Sequence, residues 1–251
     1  MATALILGDI TGRSRVAVRM LSGVLESRRH EVLALPTALI SNTLDLGRHA
    51  MLDTTGYLLE SLKTWEALGL SWDCVLIGYV TGVAQARALC DVADRARERG
   101  AWVLVDPILG DDGRMYNSVT ADQAEGMRLL MRHADIVTPN LTEARLLAGE
   151  AADGAALEDI LSDGGKRSVV ITSAQPEDGV SAVIGFDAKT GERFCIPFER
   201  VPGRHFGTGD LFSAHLADGL LCGRTLCEAA RAANEAVARA IRGEGEDRLP
   251  G

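Results

Sequence analysis

The chain has 251 residues, 47% hydrophobic and 24% charged, with seven prolines and no low-complexity tract; this excludes a disordered or fibrous chain and supplies a sizeable core. Its 26 Lys and Arg against 35 Asp and Glu leave a formal charge of -9, which excludes a protein that holds nucleic acid on a broad basic surface, so any anionic ligand must be held by local groups. The five cysteines form no CxxC pair, and the opening run MATALILGDI is too short for the ~20 residues of a membrane span and has no basic leader, so a reducing, cytoplasmic setting without a membrane partner is expected.

In chain order, ATALILG (2–8) is a compact apolar run, and Arg13 to Ser27 carries Val16, Val18, Met20, Leu21, Val24 and Leu25 at helical spacing, which predicts strand then helix. Arg13, Arg15, Arg19, Arg28 and Arg29 fall at helical spacing and read as a solvated face, with phosphate contact as the other reading. EVLALP (31–36) predicts a second strand, followed by a loop to about Asp53 and a helix to Leu68. DCVLIGY (73–79) and AWVLVDP (101–107) read as strands around a helix from Val83 to Arg99. A helix near 120–132, the strand ADIVTPN (134–140), a helix at 141–148 and the strand SVVITS (168–173) follow. VSAVIGFD and ERFCIPF flank the turn signal AKTG and predict an edge hairpin. Helices at about 208–222 and 225–242 close the chain, with Gly223 between them and the tail 243–251 expected to fray.

Runs that are apolar at every position belong to strands covered on both faces, and their alternation with helices predicts one doubly wound α/β domain with a mostly parallel sheet. In such sheets function collects beyond the carboxyl ends of the strands. Polar residues gather there: Asp9, Tyr79, Asp106-Pro107, Thr138-Pro139-Asn140 and Thr172-Ser173.

The segment FGTGDLFSAHLADGLLCG (206–223) sets an Asp directly behind Gly-Thr-Gly, where a helix begins. Gly207 and Gly209 allow backbone N–H groups to converge on an anion, and a carboxylate beside that anion makes sense if it takes a proton from an attacking hydroxyl. The plainer reading is that Thr208 or Asp210 caps the helix. No G-x-x-x-x-G-K-[ST] or G-x-G-x-x-G is present, which disfavours a P-loop enzyme or a dinucleotide fold.

Together with VDPILGDDGRMYNS (105–118) and ADIVTPNLTEARLLAG (134–149), that segment resembles the ribokinase superfamily and, within it, the pyridoxal kinase (vitamin B6 kinase) family, from about Leu5 to Gly223. The resemblance implies a three-layer α/β/α sandwich and ATP-dependent phosphorylation of the 5′-hydroxymethyl group of a B6 vitamer. It gives Asp210 the role of catalytic base and Gly207, Thr208 and Gly209 that of anion hole. Asp106, Asn140 and Glu143 match positions that organise Mg2+ and the ATP phosphates, with Asp106 and Glu143 on the metal side. Thr138 and Thr172 match positions near the nucleotide and a monovalent cation such as K+, and Ser173 and Tyr116 match further ATP-side positions. The oxygen-rich set suits a hard cation. A homodimer is implied as well. Each residue also has a plainer reading: Asp106 shaping a turn, Asn140 and Glu143 forming a capping box, and DDGRMY as a solvated loop rather than a flap over ATP.

Hydroxymethylpyrimidine kinases share the Asp-Pro and Thr-Pro-Asn segments but commonly carry Cys where Asp210 stands. On the substrate side, LISNTLDLGRHAMLD (39–53) lacks the His and Gly of the family's Ser-x-His-Thr-Gly-type loop. Ser41 and Thr43 keep polar groups there, Asp9 and Thr11 are ring contacts or loop caps, Tyr79 matches a ring-contacting position, and His205 and Phe206 precede the anion hole. This departure leaves open a kinase for another hydroxymethyl heterocycle or small alcohol, or a vitamer-binding protein without turnover.

Overall fold

The computed structural model describes residues 1–44, 48–149, 155–177, 179–203, 205–244 and 247–250. Nine strands form one sheet in the order β11-β10-β9-β8-β5-β4-β1-β2-β3, and β6 and β7 form a separate two-stranded ribbon. The parallel centre comprises β1 (Thr3–Thr11), β2 (Glu31–Ile40), β4 (Cys74–Ile77), β5 (Trp102–Val105), β8 (Ile136–Val137) and the start of β9 (Ser168–Glu177). Within β1, Leu5 and Leu7 enter one core cluster and Ala4 and Ile6 the other; Val75 and Ile77 oppose Cys74 and Leu76 in the same way. This is the physical basis of the all-apolar runs, since both faces of the pleat are covered.

One face is covered by α2 (Thr55–Ala67), α3 (Val83–Glu98), α4 (Ala121–Met131), α5 (Leu141–Ala148) and α6 (Ala155–Leu161). The other carries α1 (Val18–Ser27), α7 (Thr208–Leu221) and α8 (Leu226–Ile241). The expected edge hairpin is β10 (Val180–Asp187) and β11 (Glu192–Phe198), antiparallel and at the sheet's end. The fold is therefore the ribokinase-like α/β/α sandwich.

Several boundaries differ from expectation. The first helix begins at Val18 rather than Arg13, because Ser14 and Ala17 have φ of 80° and 48°, outside the helical region. The expected loop before Asp53 contains the short edge strand β3 (Met51–Asp53), paired antiparallel with β2. The acidic segment after β5 is a ribbon of β6 (Gly110–Asp111) and β7 (Arg114–Met115) rather than irregular loop. Where the tail is described, Asp247 pairs with His215 and Leu249 packs against the α1–α7–α8 core. Among the described residues no helix is long and apolar enough to cross a membrane.

The sequence runs from β1 to β2 on one side and returns to β4 on the other, so the strand order reverses at β1. That reversal opens a crevice beyond the carboxyl ends of the strands.

Candidate active site

A cavity of about 840 Å³ occupies this crevice. Asp9 comes to it from β1, Asp106 from the turn after β5, Thr138 and Asn140 from the turn after β8, Thr172 and Ser173 from β9, and Gly207 to Asp210 from the start of α7. Thr11, Thr43, Tyr116, Glu143, His205 and Phe206 also line it.

The N-cap of α7 is Gly207, whose φ of 76° is left-handed and which supplies no side-chain cap hydrogen bond. The first turn of a helix leaves N–H groups without helical acceptors, so Thr208, Gly209 and Asp210 present donors and a positive partial charge where they line the cavity. Neither capping alternative is realised. Thr208 Oγ1 donates to the carbonyl of His205 at 3.4 Å, and Asp210 Oδ2 accepts the N–H of Ala17 at 2.9 Å. Burial pushes the Asp210 carboxyl up to about 6, offset in part by the Ala17 hydrogen bond. At neutral pH it is predominantly a carboxylate, yet basic enough to accept a proton.

Two further acids share this region. Burial, and then the Asp210 charge, push Asp9 and Asp106 each up to about 7. Ser213 Oγ, one helical turn beyond Asp210, donates to Asp106 Oδ2 at 2.8 Å and lowers its pKa in part. Glu143 is buried and raised well above the usual carboxylate range, by burial first and Asp106 second. Its Oε1 accepts from Leu109 N–H at 3.0 Å and Gly110 N–H at 3.5 Å, and its Oε2 from Asn140 N–H at 2.9 Å.

Asn140 and Glu143 thus form a true capping box on α5, and the same two side chains hold the base of the β6–β7 ribbon. Asn140 Nδ2 donates to Gly110 O at 2.8 Å, while Gly113 N–H donates to Thr142 Oγ1 at 2.8 Å. The plainer reading and the site reading are compatible, because the capping residues also position the ribbon beside the cavity. Clustered carboxylates that raise one another's pKa favour a hard cation, which would relieve their repulsion. Asp106 is the more available ligand, since the oxygens of Glu143 already accept three backbone N–H groups.

Two candidate residues lie off the cavity lining. Ser41 is exposed and fastens its own loop, donating to Asn42 Oδ1 at 2.7 Å and accepting from Ala50 N–H at 2.9 Å. Tyr79 is buried among Ala38, Ile40 and Leu44, and its hydroxyl accepts from Gln123 Nε2 and donates to Met51 Sδ at 3.4 Å. The ring borders a second, much smaller cavity that Asp9, Asp106 and Asp210 also line. Thr11 donates to Ser14 O at 3.3 Å, in keeping with its loop-capping alternative.

Ala17 and Ser213 enter the site without having been singled out from the sequence. A backbone donor leaves no residue-type signature, whereas the i, i+3 spacing of Asp210 and Ser213 places both on one helix face. From the last helix, Asn234, Val237, Ala238 and Ile241 also line the cavity, adding largely apolar groups to it.

Residues 46–248 match the phosphomethylpyrimidine kinase family. A pyridoxine/pyridoxal/pyridoxamine kinase of Bordetella avium is 34% identical over 223 residues, covering 82% of this chain and 73% of that protein. The crystal structure of pyridoxal kinase from Lactobacillus plantarum superposes with a TM-score of 0.81 at 30% identity, over 100% of this chain and 93% of that one. A protein of Bacteroides thetaiotaomicron, assigned to the phosphomethylpyrimidine kinases and crystallised with pyridoxal, gives a TM-score of 0.89 at 27% identity, over 98% and 90% of the two chains.

Proposed function

The chain belongs to the phosphomethylpyrimidine kinase family and to its pyridoxal kinase members, and from that premise we propose that it transfers the γ-phosphoryl group of ATP to the 5′-hydroxymethyl group of a B6 vitamer. One observation carries this reading: Asp210 stands in the first turn of an uncapped helix, beside the amides of Thr208 and Gly209, inside a cavity large enough for two small ligands. In the reaction Asp210 takes the hydroxyl proton as the substrate oxygen attacks the γ-phosphorus. The bond to the bridging oxygen breaks, ADP leaves with that electron pair, and the amides meet the charge on the transferring group.

The apolar side chains of Val237, Ala238 and Ile241 in the cavity lining suit an adenine ring, and Thr172 and Ser173 line the same cavity. Asp106, with Glu143 behind it, would hold Mg2+, which when bound neutralises phosphate oxygens. Thr138 and Thr172 are the positions for a monovalent cation such as K+. Asp9, Thr43, His205 and Phe206 face the vitamer. A homodimer acting in the cytoplasm completes the proposal.

The test is phosphorylation of pyridoxal, pyridoxamine and pyridoxine with ATP and Mg2+, followed as 5′-phosphate product. Turnover on at least one supports the reading, and a folded protein inert on all three rejects it. A second reading, a kinase for another hydroxymethyl heterocycle, is favoured by the loop after β2, where the family's His and Gly are missing. A preference for a hydroxymethylpyrimidine over every pyridine in the same assay would select it.

A further inference from the structure

We infer that residues 247–250 form a strap that fixes the backbone of the anion hole, a role that rests on the phosphoryl-transfer reading above. The segment returns from α8 along the side of α7. At one end Asp247 Oδ2 lies 3.0 Å from Nε2 of His215, with side chains 19% and 6% exposed. In the middle Leu249 packs against the α1–α7–α8 core while Arg248 is exposed. At the other end Pro250 reaches Gly207: a Cβ at Gly207 would sit 3.4 Å from Pro250 Cδ, 3.4 Å from Met20 Cε and 3.5 Å from Val16 Cγ1.

The lengths agree. From Gly207 to His215 is eight residues of helix, about 12 Å, and from Asp247 to Pro250 is three residues of extended chain, roughly 10 Å. The strap therefore runs antiparallel to the first two turns of α7, anchored at His215, with Pro250 beside Gly207.

Glycine is the residue least able to hold one backbone conformation, and Gly207 must keep its left-handed φ for the following amides to point into the cavity. Pro250, Met20 and Val16 line the space beside the Cα of Gly207, at ordinary van der Waals distance from where a Cβ would stand. Two of the three come from the fold's α1 side and the third from the strap. Asp247 acts through His215 and Pro250 through Gly207, so both are positioning residues.

The experiment compares the full chain with a truncation after Glu246 and with Asp247→Ala, Asp247→Asn and Pro250→Gly. Small misplacements of reacting groups cost up to about 10²-fold in rate. The truncation, Asp247→Ala and Pro250→Gly are expected to lower kcat roughly tenfold or more with KM for both substrates within about twofold. Asp247→Asn, which keeps an acceptor oxygen for His215, should restore most of the rate. The backbone amide resonances of Gly207 and Gly209 should shift in the impaired variants. If the truncation fails to fold, the point variants decide by the same readouts. Unchanged kcat and amide resonances in a folded variant lacking the anchor overturn the inference, as does an effect confined to KM. A full-length protein without turnover would remove the kinase reading while leaving the amide comparison to judge the strap.

Discussion

Asp210 and Ala17, 193 residues apart in sequence, are joined by a 2.9 Å hydrogen bond from the Ala17 N–H to Asp210 Oδ2. The loop after β1 thereby fixes the rotation of the carboxylate at the head of α7. Ala17 holds φ 48° and ψ -130°, a backbone conformation that residues with a Cβ rarely adopt and that costs on the order of 1–3 kcal/mol. Packing of α1 against α7 in one core offsets that cost, so the base is oriented by tertiary structure rather than by its own helix.

Gly209 separates a folding role from a ligand role. A Cβ there meets nothing within 4 Å, and alanine favours a helix over glycine by about 1 kcal/mol. Gly209→Ala should therefore keep or slightly raise the melting temperature while cutting kcat/KM by roughly 10²-fold, because the methyl group stands beside the proposed γ-phosphoryl position. Thermal melting and steady-state kinetics on one preparation check this; full activity with the methyl in place would show that Gly209 is not approached by a ligand.

Ser213 holds Asp106 by a hydrogen bond to a charged acceptor, a class that contributes about 1.5–3 kcal/mol. Ser213→Ala should raise the Mg2+ concentration needed for half-maximal rate by roughly tenfold. Kinetics titrated with Mg2+ at saturating vitamer and nucleotide measure it, and an unaltered Mg2+ requirement would separate Asp106 from the metal.

Asp106 also predicts a pH dependence. Its folded pKa of about 7 lies above the unfolded value near 3.9, so the native state binds the extra proton and stability falls as pH rises between these values. Without Mg2+, Asp106→Asn should melt a few degrees above the wild type at pH 8, a gap that narrows toward pH 5. Comparison with the variant removes the contribution of His215, which burial holds below its ordinary value and which loses stability on acidification. Mg2+ should raise the melting temperature of the wild type at pH 8 and leave Asp106→Asn little changed; the reverse order would contradict a buried carboxylate awaiting a cation.

The central strands were legible because each carries a run of consecutive apolar residues, as double coverage requires. β3 and the β6–β7 ribbon were not: they are two or three residues long, mostly exposed, and exist through pairing rather than pattern. The GEGEDRLPG tail is expected to fray by composition, and no residue pattern announces the contacts that Asp247 makes with His215 and Leu249 with the α1–α7–α8 core. At the site, side chains at strand ends could be read from the sequence, and Ser213 was readable in principle from its spacing. The Ala17 N–H was not, since every residue but proline carries one. Tyr79 was placed after the correct strand, but its hydroxyl is consumed by Gln123 and Met51.

The most direct measurement is turnover of the B6 vitamers by the wild type and by Asp210→Asn at pH 7.5 with saturating ATP and Mg2+, both proteins confirmed folded. Asparagine keeps an oxygen for the Ala17 N–H but cannot take the hydroxyl proton, so the account predicts vitamer phosphorylation by the wild type and a loss of roughly 10²–10⁴ in kcat for the variant. A variant as fast as the wild type would contradict it.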